Sequence, residues 1–94
     1  MLIIKKPVEF NWDKGNTNKN KKHEVEDREA EEIFFDRNHK IIKDRLHSGN
    51  EYRYILLGKT KKGRLLYTVF TIRIKKVRII SSRDINKKEV KLYG

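Results

Sequence analysis

Tyr52-Arg-Tyr-Ile-Leu-Leu-Gly58, Leu65-Leu-Tyr-Thr-Val-Phe-Thr-Ile-Arg73 and Val77-Arg-Ile-Ile-Ser-Ser82 follow one another with little between them. All three runs are rich in β-branched and aromatic residues, which favours strands. Lys59-Thr-Lys-Lys-Gly63 joins the first two as a hairpin loop with glycine near its end, and a tight basic turn at Ile74–Lys76 joins the last two. Connections this short cannot cross over, so the three strands are predicted to form an antiparallel meander. Upstream, His39–Lys43 reads as another short strand, followed by a polar turn at His47-Ser-Gly-Asn50. A helix is predicted from Asp27 to Phe35, because Ala30, Ile33 and Phe34 recur at helical spacing; Asp27 is its expected N-cap, with acids on the outer face. Before it, Val8–Trp12 alternates like a strand, Asp13-Lys-Gly-Asn16 breaks it, and a polar helix is expected around Asn16–His23. Downstream, Asn86-Lys-Lys-Glu89 has capping-box spacing, Ile85 is placed to staple onto Val90, and Leu92 and Tyr93 give the closing helix an apolar stripe. This order predicts one α+β domain over residues 1–94: a small antiparallel sheet, two N-terminal helices on one face and a C-terminal helix.

Composition narrows what such a domain does. Ninety-four residues with 36% hydrophobic and 39% charged side chains support only a thin core. The chain has no cysteine, which removes disulfide frameworks, zinc fingers and thiol redox chemistry. No uninterrupted apolar run exceeds four residues, so a membrane-spanning helix is not expected. The opening Met1-Leu-Ile-Ile-Lys-Lys is too short for a secretory signal and has its charges on the wrong side, so a cytoplasmic protein is expected. The formal net charge of +11 is uneven: residues 1–47 hold 11 Lys and Arg against 10 Asp and Glu, and residues 48–94 hold 13 against 3. A basic half of this kind points to a polyanion, most commonly nucleic acid. An AT-rich coding sequence would also inflate lysine, yet it does not explain why acids become rare after Glu51.

The arginines are the strongest candidates for chemistry. By strand parity, Arg53 shares a face with Ile55 and Leu57, and Arg73 shares one with Leu65, Tyr67 and Val69, while Arg64 lies on the other parity. Arg83 is expected to continue the face of Val77, Ile79 and Ser81, with Arg78 opposite. Several guanidinium groups converging on one side would cradle a phosphate through bidentate hydrogen bonds; the competing reading is a solvated face studded with arginine. His23, His39 and His47 carry a side chain suited to proton transfer near neutrality, but each is also an ordinary surface histidine. Glu31 and Glu32 are adjacent and so point to different helix faces, and no other grouping resembles a metal site. Trp12, Phe34, Phe35, Phe70 and Tyr67 fit core positions; Tyr52 and Tyr54 flank Arg53 and suit either packing or base stacking.

Several segments together resemble the BrnT family of type II toxins. They are Phe10-Asn-Trp12-Asp13-Lys14-Gly15-Asn16, Lys22-His23-x-Val25, Glu29-Ala-Glu-Glu-Ile-Phe34-Phe35-Asp36, Arg45-x-His47, Glu51-Tyr-Arg53-Tyr, Gly63-Arg64-Leu-Leu, Phe70-Thr-x-Arg73, Val77-Arg78-Ile-Ile-Ser81-Ser-Arg83-Asp84 and Lys88-Glu89-x-x-x-Tyr93. One departure is that Asn20-Lys-Lys22-His23 is a residue shorter than the family's usual Asn-x-x-Lys-His. The resemblance implies a RelE-like fold and a ribonuclease that needs no metal or other cofactor and inhibits translation. It also implies a cognate BrnA-like antitoxin, with operon DNA contacted only through that partner. For RNA cleavage by the substrate's own 2′-hydroxyl, Arg53, Arg64 and Arg83 are expected to stabilise the phosphate and transition state. Lys22 or His23 is the expected proton carrier, with His47 or Glu51 as the alternative. Lys59, Lys61, Lys62, Lys75, Lys76 and Arg78 are expected to bind the RNA backbone. The main competitor is a module of the same fold that binds nucleic acid or antitoxin without cleaving; a structural basic protein of the ribosome is a weaker one.

Overall fold

The computed structural model describes residues 8–44 and 52–94. Four strands, β1 (Lys40–Asp44), β2 (Arg53–Lys59), β3 (Leu65–Arg73) and β4 (Lys76–Asp84), form one sheet in sequence order, with every neighbouring pair antiparallel. The helical pieces are a 3-10 turn at Lys19–His23, a helix α1 (Asp27–Glu32) that tightens into 3-10 geometry over Ile33–Phe35, and a final helix α2 (Lys87–Tyr93). The α+β class and the antiparallel meander are as the sequence predicts. The expected turn at His47–Asn50 lies outside the described residues, as do His47 and Glu51 themselves.

One face of the sheet carries the core. Leu56, Leu66, Phe70, Val77 and Ile79 point into it, and Val25, Ala30, Ile33 and Phe34 close over them. Phe34 meets Phe70 edge-on at 5.0 Å and Phe10 at 5.3 Å, contacts that add roughly 0.5–1.5 kcal/mol each beyond burial. Gly58 lets the helical layer sit directly on β2: a Cβ there would lie 2.8 Å from both Cβ and the carbonyl oxygen of Ile33. Two hydroxyls buried on this face, Thr68 and Ser82, satisfy each other at 2.7 Å. Phe35, expected in the core, is 55% exposed. Tyr67 stands on the opposite face, since its neighbours Leu66 and Thr68 take the buried parity.

β3 has the predicted bounds, whereas β4 begins one residue earlier, at Lys76. Ile74 and Lys75 both adopt left-handed conformations (φ 51° and 63°), which makes a two-residue hairpin turn that suits the sheet's twist. Within β4 the register slips: Val69 pairs with Ser81, but Phe70 pairs with Ile79, so Ile80 bulges out unopposed. The bulge reverses the expected alternation. Val77 and Ile79 face the core and so does Ser82, which puts Arg78 and Arg83 together on the outer face. The expectation that Arg83 continues the face of Val77 and Ile79 is therefore corrected by one extra residue.

The N-terminal segment departs further from expectation. Val8–Trp12 makes only a single parallel bridge, Phe10 with Val77, flanked by hydrogen bonds from Val77 N–H to Glu9 O (2.9 Å) and from Asn11 N–H to Val77 O (2.8 Å). The polar helix expected at Asn16–His23 is reduced to the 3-10 turn at Lys19–His23. Its two buried asparagines bind β4 instead of solvent: Asn16 Nδ2 donates to Ile79 O (3.0 Å), and Asn20 Oδ1 accepts from Ser82 N–H (2.8 Å). The N-cap of α1 is Glu26, whose N–H donates to Glu29 (3.1 Å). Asp27 accepts from Asn18 N–H instead. The expected apolar stripe of α2 is also corrected, because Val90 and Leu92 are exposed. The partly buried side chains of that helix are Glu89 and Tyr93, one turn apart, and both make tertiary hydrogen bonds.

Candidate functional site

The 3-10 turn and the end of β4 form an open cleft of about 360 Å³ lined by Lys22, His23, Glu24, Arg83 and Asp84. Three of the five expected catalytic residues, Lys22, His23 and Arg83, thus meet in one place. Glu24 follows in a left-handed conformation (φ 59°), its N–H bonded back to Lys21 O (2.8 Å), which turns the chain sharply after His23.

Arg83 is held from two sides. Glu89 takes its two terminal nitrogens in a forked pair, at 2.9 and 2.7 Å, and the ring of Tyr67 lies beneath the guanidinium at 4.0 Å. These hydrogen bonds from Arg83 hold the Glu89 carboxyl below the usual range, against partial desolvation. Desolvation, and then the Glu89 charge, raise the Tyr67 phenol. The Arg83 side chain remains 37% exposed, and among the described residues no partner engages its Nε–H. It can therefore reach an anion while its orientation is fixed.

Arg64 is occupied quite differently. Its Nε and one terminal nitrogen bind Asp84 at 2.6 and 3.1 Å, and the remaining hydrogens go to Glu24 O (2.7 Å), His23 O (3.2 Å) and Glu29 (3.4 Å). All five guanidinium donors are accounted for. Arg64 thus fastens the end of the 3-10 turn and α1 to β4. Arg53 is elsewhere, paired with Thr71 near the far end of β3, where a smaller cleft of about 190 Å³ is lined by Arg53, Arg73, Arg78, Thr71, Gly15 and Asn16. Arg53, Arg64 and Arg83 do not gather round one pocket.

The lysines of the two hairpin turns stand at opposite ends of β3, about 27 Å apart for eight residue steps. Lys59 N–H binds Asp36, and Lys61 N–H binds Glu32, so the first loop is pinned to the acidic helix. Beside it, a cleft of about 390 Å³ carries Glu26, Glu29 and Glu32 as well as Arg28, Lys61 and Lys62. The acids of α1 are more than a solvated face: Glu31 accepts from the Trp12 indole (2.6 Å), and Glu29 and Glu32 are engaged as above. At the other end, Lys76 pairs loosely with Glu9 (3.8 Å), and Lys75 is at the exposed tip.

A family model described as "Ribonuclease toxin, BrnT, of type II toxin-antitoxin system" matches residues 12–89. The chain belongs to the BrnT family. Membership makes it a ribonuclease toxin of a type II toxin–antitoxin system, with an antitoxin as partner. No curated protein matches the chain. The BrnT match runs from Trp12 to Glu89 and so takes in the residues lining both the Arg83 cleft and the Arg53 cleft. Among the described residues, no helix is long and apolar enough to cross a membrane.

Tyr67 and Glu89 escaped the sequence reading as parts of this site. Glu89 was visible only through its capping role, which it also fulfils by accepting from Asn86 N–H (3.0 Å). Tyr67 lies opposite Arg83 only because the bulge shifts the register.

The carboxylates of this BrnT chain also set its acid limit. Arg64 lowers Asp84 and Arg83 lowers Glu89, in each case chiefly through a side-chain hydrogen bond. Asp36 is also lowered: burial opposes this, but hydrogen bonds from Tyr93, Asn38 and Lys59 outweigh it, and the same contact pushes the Tyr93 phenol up to about 12. A carboxyl lowered by folding contributes stability that is present above its unfolded value, about 4, and lost as pH falls through the folded one. The melting temperature is therefore expected to hold from pH 7 to about 5 and to fall below about pH 4. Asp84→Asn should melt lower at pH 7 and lose less on acidification. Equal acid sensitivity in the variant and the parent would refute the assignment.

Proposed function

We propose that this BrnT chain cleaves RNA internally, without a metal ion, by attack of the substrate's 2′-hydroxyl on the adjacent phosphorus, and that it thereby inhibits translation in the cytoplasm. The observation that carries this reading is the meeting of Lys22, His23 and Arg83 in one cleft. In the reaction a bond forms from the 2′ oxygen to phosphorus as the bond to the 5′ oxygen breaks, leaving a 2′,3′-cyclic phosphate and a free 5′-hydroxyl. One proton leaves the 2′ oxygen and another must reach the 5′ oxygen. His23 takes the first, imidazole being suited to exchange protons near neutrality, and Lys22 supplies the second. Arg83, aimed by Glu89 and Tyr67, meets the charge that develops on the phosphoryl oxygens.

On this reading the chain is a single RelE-like domain, its antitoxin is BrnA-like, and operon DNA is reached only through that partner. Inhibition requires the antitoxin to shut the cleft to RNA. Arg64 joins the site as its support, through the carbonyls of His23 and Glu24.

The test is an RNA oligonucleotide incubated with the purified chain in EDTA, beside the same oligonucleotide carrying a single 2′-deoxy sugar at the cut position. Cleavage is expected to persist in EDTA, to yield a cyclic phosphate end and to stop at the 2′-deoxy sugar. Cleavage of the 2′-deoxy substrate would rule out the internal nucleophile, and dependence on a divalent ion would rule out the metal-free mechanism. Tight binding without turnover would show a binding module instead.

A further inference from the structure

The outer positions of the two central strands are more apolar than a solvated face needs. Ile55 and Leu57 on β2, and Leu65, Tyr67 and Val69 on β3, take the parity opposite to the core residues Leu56, Leu66 and Phe70. Antiparallel strands with one wet face alternate apolar with polar, whereas strands covered on both faces read as continuous apolar runs; β2 and β3 read in the second way. The described residues supply only part of the second cover. Helix α2 packs against β2 and reaches Arg83 through Glu89, and Leu57 is fully buried although it stands outside the core cluster. Seven residues of helix span about 10 Å, so this cover is short.

Two residues along from Leu57 on the same face, Ile42, Ile55 and Val69 stand side by side on β1, β2 and β3. None of the three is fully covered: Ile42 is 38% exposed, and Ile55 and Val69 are partly exposed. The row continues to Ser81 on β4, next to the bulge, and so crosses the whole sheet in about 14 Å. The neighbouring rows carry the charge. Lys40 and Arg83 flank the stripe on one side and Arg53 and Arg78 on the other, where Asp44 also stands. Arg83 is in the row of Leu57 and Tyr67, directly beside the stripe, so whatever covers the stripe also closes on the 360 Å³ cleft.

We infer that the antitoxin docks on this stripe, laying across Ile42, Ile55 and Val69 an apolar segment with acidic flanks, and thereby shuts the cleft that holds Arg83. Isoleucine and valine offer no π face, so a nucleotide base gains little by settling there. A second copy of this chain would bring together two faces of the same sign, each from a chain of formal net charge +11. A type II antitoxin is the protein partner that family membership gives this chain, and acids beside its apolar residues complement the basic rows on both sides of the stripe. The inference rests on the reading of the Arg83 cleft as the place where RNA is cut, and deepens it by saying how that cleft is silenced.

The test is calorimetric titration of the purified full chain with the antitoxin encoded beside it, which does not depend on cleavage. Ile42→Glu and Val69→Glu place a carboxylate on the stripe. Ile74→Glu makes the same kind of change at the hairpin tip, where Ile74 is 88% exposed, and serves as the control. Each stripe variant is expected to bind the antitoxin about tenfold more weakly or worse, because the interface would bury an unpaired charge facing the partner's acids, while the control stays within about twofold of the parent. Ile42 is exposed on the edge strand β1, so Ile42→Glu carries the test should Val69→Glu not fold. Unchanged affinity in Ile42→Glu, or an equal loss in Ile74→Glu, overturns the docking face. A parent that sediments as a dimer and is split by Ile42→Glu would give the stripe to a second copy instead. Weaker binding of an uncleavable 2′-O-methyl RNA by Ile42→Glu, with the antitoxin still bound, would give it to RNA. If Ile42→Glu releases the antitoxin and the parent cleaves no RNA, the docking face stands and the catalytic reading fails.

Discussion

Arg83→Ala is expected to slow RNA cleavage by about 10²–10³ while leaving the affinity for uncleavable RNA within a few-fold of the parent. The split follows from what Arg83 does in the fold. Its charge is already balanced by Glu89, so it adds little to long-range attraction. Its orientation is fixed by that fork and by the Tyr67 ring, which suits it to charge that appears only as the phosphorus is attacked. Stability should change by roughly 1 kcal/mol or less, because the pair with Glu89 is partly solvent-exposed. Arg83→Lys should recover only a fraction of the rate, since an ammonium cannot keep the forked geometry. If Arg83→Ala folds and cleaves at the parental rate, the reacting phosphate lies elsewhere.

The second large effect is structural. Arg64→Ala is expected to cost about 1–2 kcal/mol, because it removes at once the hydrogen bonds to Asp84, Glu29 and the carbonyls of His23 and Glu24, most of them at least partly exposed to solvent. For a chain of this size that lowers the melting temperature by roughly 5–15 °C. Cleavage should fall as well, through loss of the turn that presents Lys22 and His23, and should partly return when the assay is cooled. Denaturant titration of the two chains separates this from a catalytic loss. A fully stable but inactive Arg64→Ala would restore Arg64 to the reacting centre.

The sheet was largely legible in the sequence because its signals are local. β3 alternates without interruption and has a hairpin turn at each end, and Asn86 with Glu89 marks the start of α2 whatever surrounds it. The face of Arg83 was not legible. Nothing in Ile79-Ile80-Ser81-Ser82 says which residue bulges, and a slip of one residue moves every later side chain to the other face. The polar segment before α1 failed for a similar reason. Asn16 and Asn20 look like solvent-facing helix positions until β4 supplies the backbone groups they bind. Within the site, the Lys22–His23 pair is legible only through the resemblance to the BrnT family, whereas the separate duties of Arg64 and Arg83 depend on which acids reach them. Of those acids, Glu89 is visible in the sequence only as a cap and Asp84 only as the end of a BrnT-like segment, and neither role says which arginine it binds.

The contacts that Glu9, Asn11, Asn16 and Asn20 make along β4 have a meaning beyond holding the N-terminal segment in place. They use up backbone groups that an incoming strand would need, so a second molecule cannot add itself on that side. Indefinite ribbon growth requires two open borders, and this chain covers one of them with the backbone of Glu9 and Asn11 and the side chains of Asn16 and Asn20. A strongly cationic toxin is thereby shielded from self-templated strand addition on that border, and one of the residues that does so, Asn16, also lines the Arg53 cleft.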